Sequence, residues 1–187
     1  MYVIRRVRGR LLVSVRISLN KISVLVIDDN LFMRSLLRAV LQGLGCGVVH
    51  LAEDGRIGME RLLKYRPDIV ICDWVMAPVN GADFIKRLRK DKDQAVATTP
   101  VIMLTSFNKR AYVVQAARLG ANEFLAKPVS PTQLYQRIER IVTETRPFVR
   151  VPGYFGPMPR GAEPDSKTLA KIAAVMATPL PRTSTLF

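Results

Sequence analysis

Residues 68–81 read DIVICDWVMAPVNG. The first half, DIVICD (68–73), is an apolar run that ends on a carboxylate. The second half, WVMAPVNG (74–81), carries the Pro, Asn and Gly of a loop. A short continuous apolar run bounded by turn residues fits a strand covered on both faces. Such a strand delivers Asp73 to its carboxyl end, where open α/β sheets bind their ligands.

The same unit recurs on both sides. ISVLVIDD (22–29) is a strand ending in Asp28 and Asp29. Residues 30–43 follow at helical spacing, with Phe32, Leu36, Leu37, Val40 and Leu41 apolar, Asn30 placed to cap the helix, and Gly43 and Gly45 ending it. VVHLAED (48–54) is a second strand, and the helix over 55–65 stops before Pro67. After the 68–81 stretch come a helix over 82–90, the strand PVIMLTS (100–106) and a helix over 108–119 ending at Gly120. NEFLAK (122–127) is the fifth strand, and 131–144 is an amphipathic helix carrying Leu134, Ile138, Ile141 and Val142. Five alternating β–α units predict a doubly wound α/β domain, a five-stranded parallel sheet with helices on both faces and right-handed crossovers.

Composition excludes several classes. The chain has 187 residues, 49% of them hydrophobic, which suffices for one domain and extensions. No apolar run reaches the ~18–20 residues of a membrane span, and the N-terminus lacks the unbroken apolar stretch of a signal peptide, so a cytoplasmic protein is expected. Cys46 and Cys72 read as packed thiols, and His50 is the only histidine, which rules out a histidine-based metal cluster or catalytic triad. The net charge is +14. Residues 1–21 hold six bases and no acids, and 146–187 hold six bases and two acids. A basic balance favours polyanionic partners, although a solvated surface gives the same count. Lys64, Arg66, Lys86, Arg87, Arg89 and Lys90 are expected on such a solvated face.

Four of the five strands end on a reactive group: Asp28–Asp29, Asp73, Thr105 and Lys127. The fold would converge them on one cleft. Three carboxylates together repel one another, and a hard divalent cation such as Mg²⁺ offsets that repulsion with oxygen ligands. A carboxylate is also a competent nucleophile toward phosphorus, and an ammonium and a hydroxyl nearby can hold phosphoryl oxygens.

At Asp28–Asp29, ICDWVMAPVNG (71–81), MLTS (103–106) and FLAKPVSP (124–131), the chain resembles the CheY-like receiver domain of bacterial two-component response regulators. The resemblance covers about residues 22–145 and implies a flavodoxin-like (βα)5 sheet of order 2-1-3-4-5. It implies that Asp28, Asp29, Asp73 and the Val75 backbone carbonyl hold Mg²⁺ and that Asp73 accepts the phosphoryl group. Thr105 and Lys127 would contact that group, the Lys127–Pro128 peptide would be cis, and Thr105 with Phe124 would form the switch. The partners implied are a histidine kinase or histidine phosphotransfer protein and a downstream protein, within a phosphorelay. No metabolic enzyme activity is implied, only self-catalysed phosphoryl transfer and autodephosphorylation, and homodimers are common in the family. This sequence departs from the family at Ala77, where proline is frequent and here comes one residue later as Pro78. Val75 and Phe107 are apolar where the family tunes water access, which predicts slow autodephosphorylation.

The extensions are less legible. Residues 1–21 read as a basic, disordered extension, although VSVRISL (13–19) alternates like a strand. Residues 146–187 form a Pro-, Arg- and aromatic-rich tail, read as irregular up to Gly161, with a short helix over 165–178. A nucleic-acid-associated regulator using the basic termini is the competing reading. A haloacid-dehalogenase-type phosphatase would need an acid two residues after Asp73, where Val75 stands.

Overall fold

A computed structural model describes residues 2–7, 10–15, 17–105 and 110–178. The expectation for Phe107 lies outside the described residues. The central sheet is built from β3 (Ser23–Ile27), β4 (Val48–Ala52), β5 (Ile69–Asp73), β6 (Val101–Thr105) and β7 (Glu123–Ala126), all parallel, in the order β4-β3-β5-β6-β7. In units of the sheet itself this is 2-1-3-4-5. Before it, β1 (Tyr2–Val7) and β2 (Arg10–Val15) pair antiparallel as a separate two-stranded sheet within the basic 1–21 segment. Leu19, from the end of that segment, is buried in the domain core.

Helices α1 (Leu31–Gly43), α2 (Gly55–Tyr65), α3 (Gly81–Arg89), α5 (Arg110–Arg118) and α6 (Pro131–Thr143) cross between or follow the strands, and a one-turn α4 (Gln94–Ala97) precedes β6. Alternation along each strand divides the core in two. Val24, Val26, Ile69 and Ile71 pack with Leu37 and Leu41 of α1 and with Leu134 and Ile138 of α6. Leu25, Ile27, Val70 and Cys72 pack with Met59 of α2, Phe84 and Leu88 of α3, and Ala116 of α5. Each fully buried leucine of this kind stabilises the fold by roughly 1.5–3 kcal/mol. Asn30 caps α1 as expected, its Oδ1 accepting from the backbone N–H of Phe32 and Met33 at 2.9 and 3.1 Å.

The tail departs from its reading as irregular. Phe148–Val151 (β8) and Tyr154–Pro157 (β9) form an antiparallel hairpin, and α7 (Ser166–Ala177) follows, capped by Asp165. Proline and glycine here make the turn: Pro152 and Gly153 are its two loop residues, and Gly153 takes φ +77, the left-handed position of a type II turn. Tyr154, Met158 and Ile172 bury together as a third, small core.

Candidate functional site

Register explains why the strand ends converge. Ile27 pairs with Cys72, so the residues that follow, Asp28 and Asp73, leave neighbouring strands side by side. Thr105 pairs with Ala126, so Lys127 emerges beside Thr105, and its backbone N–H donates to the Thr105 carbonyl at 2.8 Å. Asp28, Asp29 and Asp73 each offer a carboxylate oxygen within 4.8 Å of the others. Asp28 and Asp73 are buried and Asp29 is exposed. Lys127 Nζ sits between the two buried acids, 2.8 Å from Asp28 Oδ2 and 2.9 Å from Asp73 Oδ2. The other oxygens accept from the backbone: Asp28 Oδ1 from Asn30 at 2.9 Å and Asp73 Oδ1 from Trp74 at 2.9 Å. Thr105 is buried at the end of β6, and the Lys127–Pro128 peptide is cis, as is Ala77–Pro78.

Burial pushes the Asp73 carboxyl up; the Lys127 hydrogen bond and charge pull it down, and Asp28 pushes it up again, leaving it above its ordinary value. Burial works against the Lys127 ammonium, yet its bonds to Asp28 and Asp73 outweigh that and hold its pKa above the usual lysine range. One ammonium, bonded to Asp28 and Asp73, therefore serves a cluster of three carboxylates. The donor set fits a hard divalent cation: it is all oxygen, anionic and crowded. Asp28, Asp29 and Asp73 are the side chains that could hold one.

Two supporting residues escaped the sequence reading. Arg34, on α1, donates through Nη1 to the backbone carbonyls of Asp28 and Asp29 at 2.6 and 3.0 Å, fixing the acid-bearing turn. Gly81 starts α3 against Asp73: a Cβ there would lie 2.2 Å from the Asp73 carbonyl oxygen. The glycine was visible as part of a loop, but the close approach was not. Phe124 is 40% exposed on β7, and Val75 is 56% exposed in the loop after Asp73. Cys72 is fully buried among apolar side chains, where desolvation raises its thiol pKa well above the ordinary value, so it stays protonated and inert. Arg89 corrects the expectation of a solvated basic face. It is 4% exposed, because its guanidinium donates to the carbonyls of Ala97, Thr99 and Gly120 and to Asn122 Oδ1, which draws it under the sheet edge.

The fold and the pocket define a doubly wound α/β protein with a lysine-clamped acidic site at the carboxyl edge of its sheet. The chain belongs to the response regulator receiver domain family, whose sequence model matches residues 24–139. It is 32% identical over 124 residues to the chemotaxis protein CheY-3 of Vibrio cholerae, covering 66% of this chain and 94% of that one. It is 35% identical over 150 residues to a protein-glutamate methylesterase/protein-glutamine glutaminase of Myxococcus xanthus, covering 80% of this chain but 41% of the relative, whose activity is that protein's own. The solved chemotaxis response regulator CheY4 of Vibrio cholerae superposes with a TM-score of 0.59 at 30% identity, over 64% of this chain and 98% of that one. Among the described residues no helix is long and apolar enough to cross a membrane.

Proposed function

We propose that this protein is a cytoplasmic phosphorelay switch in which Asp73 takes a phosphoryl group from a histidine kinase or a histidine phosphotransfer protein. The observation that carries this reading is the Lys127 ammonium held between Asp28 and Asp73, with a third acid within reach. In the transfer, an Asp73 carboxylate oxygen forms a bond to phosphorus as the bond from phosphorus to the donor's imidazole nitrogen breaks, and the imidazole leaves. Lys127 keeps Asp73 aligned and offers its charge to the incoming phosphoryl oxygens. Thr105, at the neighbouring strand end, would offer its hydroxyl. Mg²⁺ on Asp28, Asp29, Asp73 and the Val75 carbonyl would neutralise charge on those oxygens when bound.

Donor access is supported by α1. Leu37 and Leu41 enter the core, whereas Leu31 and Phe32 stand 67% and 73% exposed beside the acid pair. Helical spacing groups Phe32 with the apolar residues of α1, yet Phe32 faces solvent and offers a donor protein an apolar foothold at the start of the helix that follows Asp28 and Asp29. Phosphorylation would then move Thr105 and Phe124 and alter protein contacts. The output is tested by capturing partners with wild type loaded with beryllofluoride and Mg²⁺, against Asp73→Ala treated alike. Partners retained only by the wild type support the reading. An identical partner set from both proteins, with and without beryllofluoride, contradicts it.

A further inference from the structure

The edge of the sheet opposite the acidic pocket carries a cationic cleft that the phosphoacceptor chemistry does not use. A space of about 320 Å³ opens there between α3, the end of α5 and the β8–β9 hairpin. Lys86 and Lys90 form one wall, Arg150 and Phe155 the other, with Arg118 and the buried Arg89 between them. Among the described residues no Asp or Glu lines it. Arg89 contacts Thr99, just before β6, and Gly120 and Asn122, just before β7, so the cleft lies at the amino ends of strands whose carboxyl ends carry Thr105 and Lys127.

The charge of this cleft is largely uncancelled. Arg89 is held by carbonyl dipoles and an amide, with no carboxylate partner among the described residues. The Phe148 ring covers it at 4.9 Å, and the Arg150 guanidinium lies over Phe155 at 4.1 Å. Each ring gives its guanidinium a cation–π contact without cancelling its charge. Lys86 is shared with Asp83 at 3.1 Å, but Lys90 and Arg150 are exposed and meet no carboxylate among the described residues. Arg118 spends its Nη atoms on the carbonyls of Val175 and Thr178, while its buried Nε has no partner among the described residues.

We infer that this cleft is a docking surface for the phosphate backbone of nucleic acid. The charge is complementary, and half or more of the contacts in such complexes go to phosphate and sugar. The shape favours a phosphate ridge over a bilayer: cations set on two facing walls reach a strand that enters the cleft, whereas a flat anionic membrane meets only the rims. The surface is composite: Lys86 and Lys90 come from α3 and its end, and Arg150 from the hairpin of the 146–187 tail, while residues 1–21 take no part in it. Because it is at the far edge from Asp73, nucleic acid and a phosphodonor can be held at once.

The test is fluorescence anisotropy of the full chain with a labelled 20-base-pair DNA duplex, read between 50 and 200 mM salt. Each phosphate neutralised contributes about 0.9 to the slope of log K against log salt, so Lys90→Ala/Arg150→Ala should lower that slope by between about 1 and 2, equally for unrelated DNA sequences. Arg61→Ala/Lys64→Ala, two exposed cations on α2, should leave it within about 0.3. The inference is overturned if wild type fails to bind the duplex at 50 mM salt. It is also overturned if Lys90→Ala/Arg150→Ala keeps the full slope while Arg5→Ala/Arg6→Ala loses it. Binding to phosphatidylserine vesicles without binding to DNA would overturn it too.

Discussion

A single ammonium decides the state of the acidic pocket. Lys127 contacts Asp28 and Asp73 and cannot neutralise both together with Asp29. Asp73 pays for this with a raised pKa caused first by burial. A carboxyl raised in the folded state adds its stability fully below the ordinary aspartate value, near 3.9, and loses it as pH rises through the raised value. Asp73→Asn, which removes that charge, should therefore raise the Tm of Mg²⁺-free protein by about 3 °C at pH 7, an advantage that fades toward pH 4. Equal melting at pH 7 would show that Lys127 already balances the pocket. The five site residues were legible because strand ends in such sheets share one edge. Arg34 and Arg89 were not. An arginine that reaches back six residues to a carbonyl, or sinks under a sheet edge, looks in sequence like any other surface cation.

Between residue and molecule, two elements set what the pocket can do. The start of α3 lies against the backbone of Asp73 so closely that only glycine fits. Gly81→Ala should cost about 2 kcal/mol or more in denaturant unfolding, since the clash is with backbone and with Met103 Cε at 2.7 Å, and neither the loop nor Asp73 can yield without the other. The second element is α1, whose apolar residues divide between core and solvent. Sequence periodicity marks a helix face without saying which apolar residues overhang it, so Leu37 and Phe32 read alike. Phe32→Ala should slow transfer from any histidine phosphotransfer protein that labels the wild type about tenfold, with labelling by acetyl phosphate unchanged. Equal loss with both donors would place Phe32 in the pocket and not in docking.

At the scale of the molecule, the receiver domain and its tail are one packed unit. Glu123, buried on edge strand β7, is met by Arg137, Arg146 and Arg160, and Arg160 also holds Glu144 at 2.7 Å. Gly120 abuts the backbone of Phe155, and Arg118 ties down the end of α7. The five-unit domain was plain from alternating apolar runs; the tail was not, because its hairpin is short and its packing rests on arginines and a Pro-Gly turn. Burial pushes Tyr154, whose hydroxyl donates to the Pro157 carbonyl at 2.8 Å, up to about 12. Its contribution is whole below pH 10 and is lost between there and pH 12, so wild type should lose about 2 kcal/mol over that range that Tyr154→Phe does not. Matching pH profiles of unfolding would mean that Tyr154 is not buried against the tail. The phosphoacceptor assignment itself is tested most directly by radiolabelled acetyl phosphate with Mg²⁺. Wild type should take up label stoichiometrically and Asp73→Ala none; full labelling of Asp73→Ala would contradict the account.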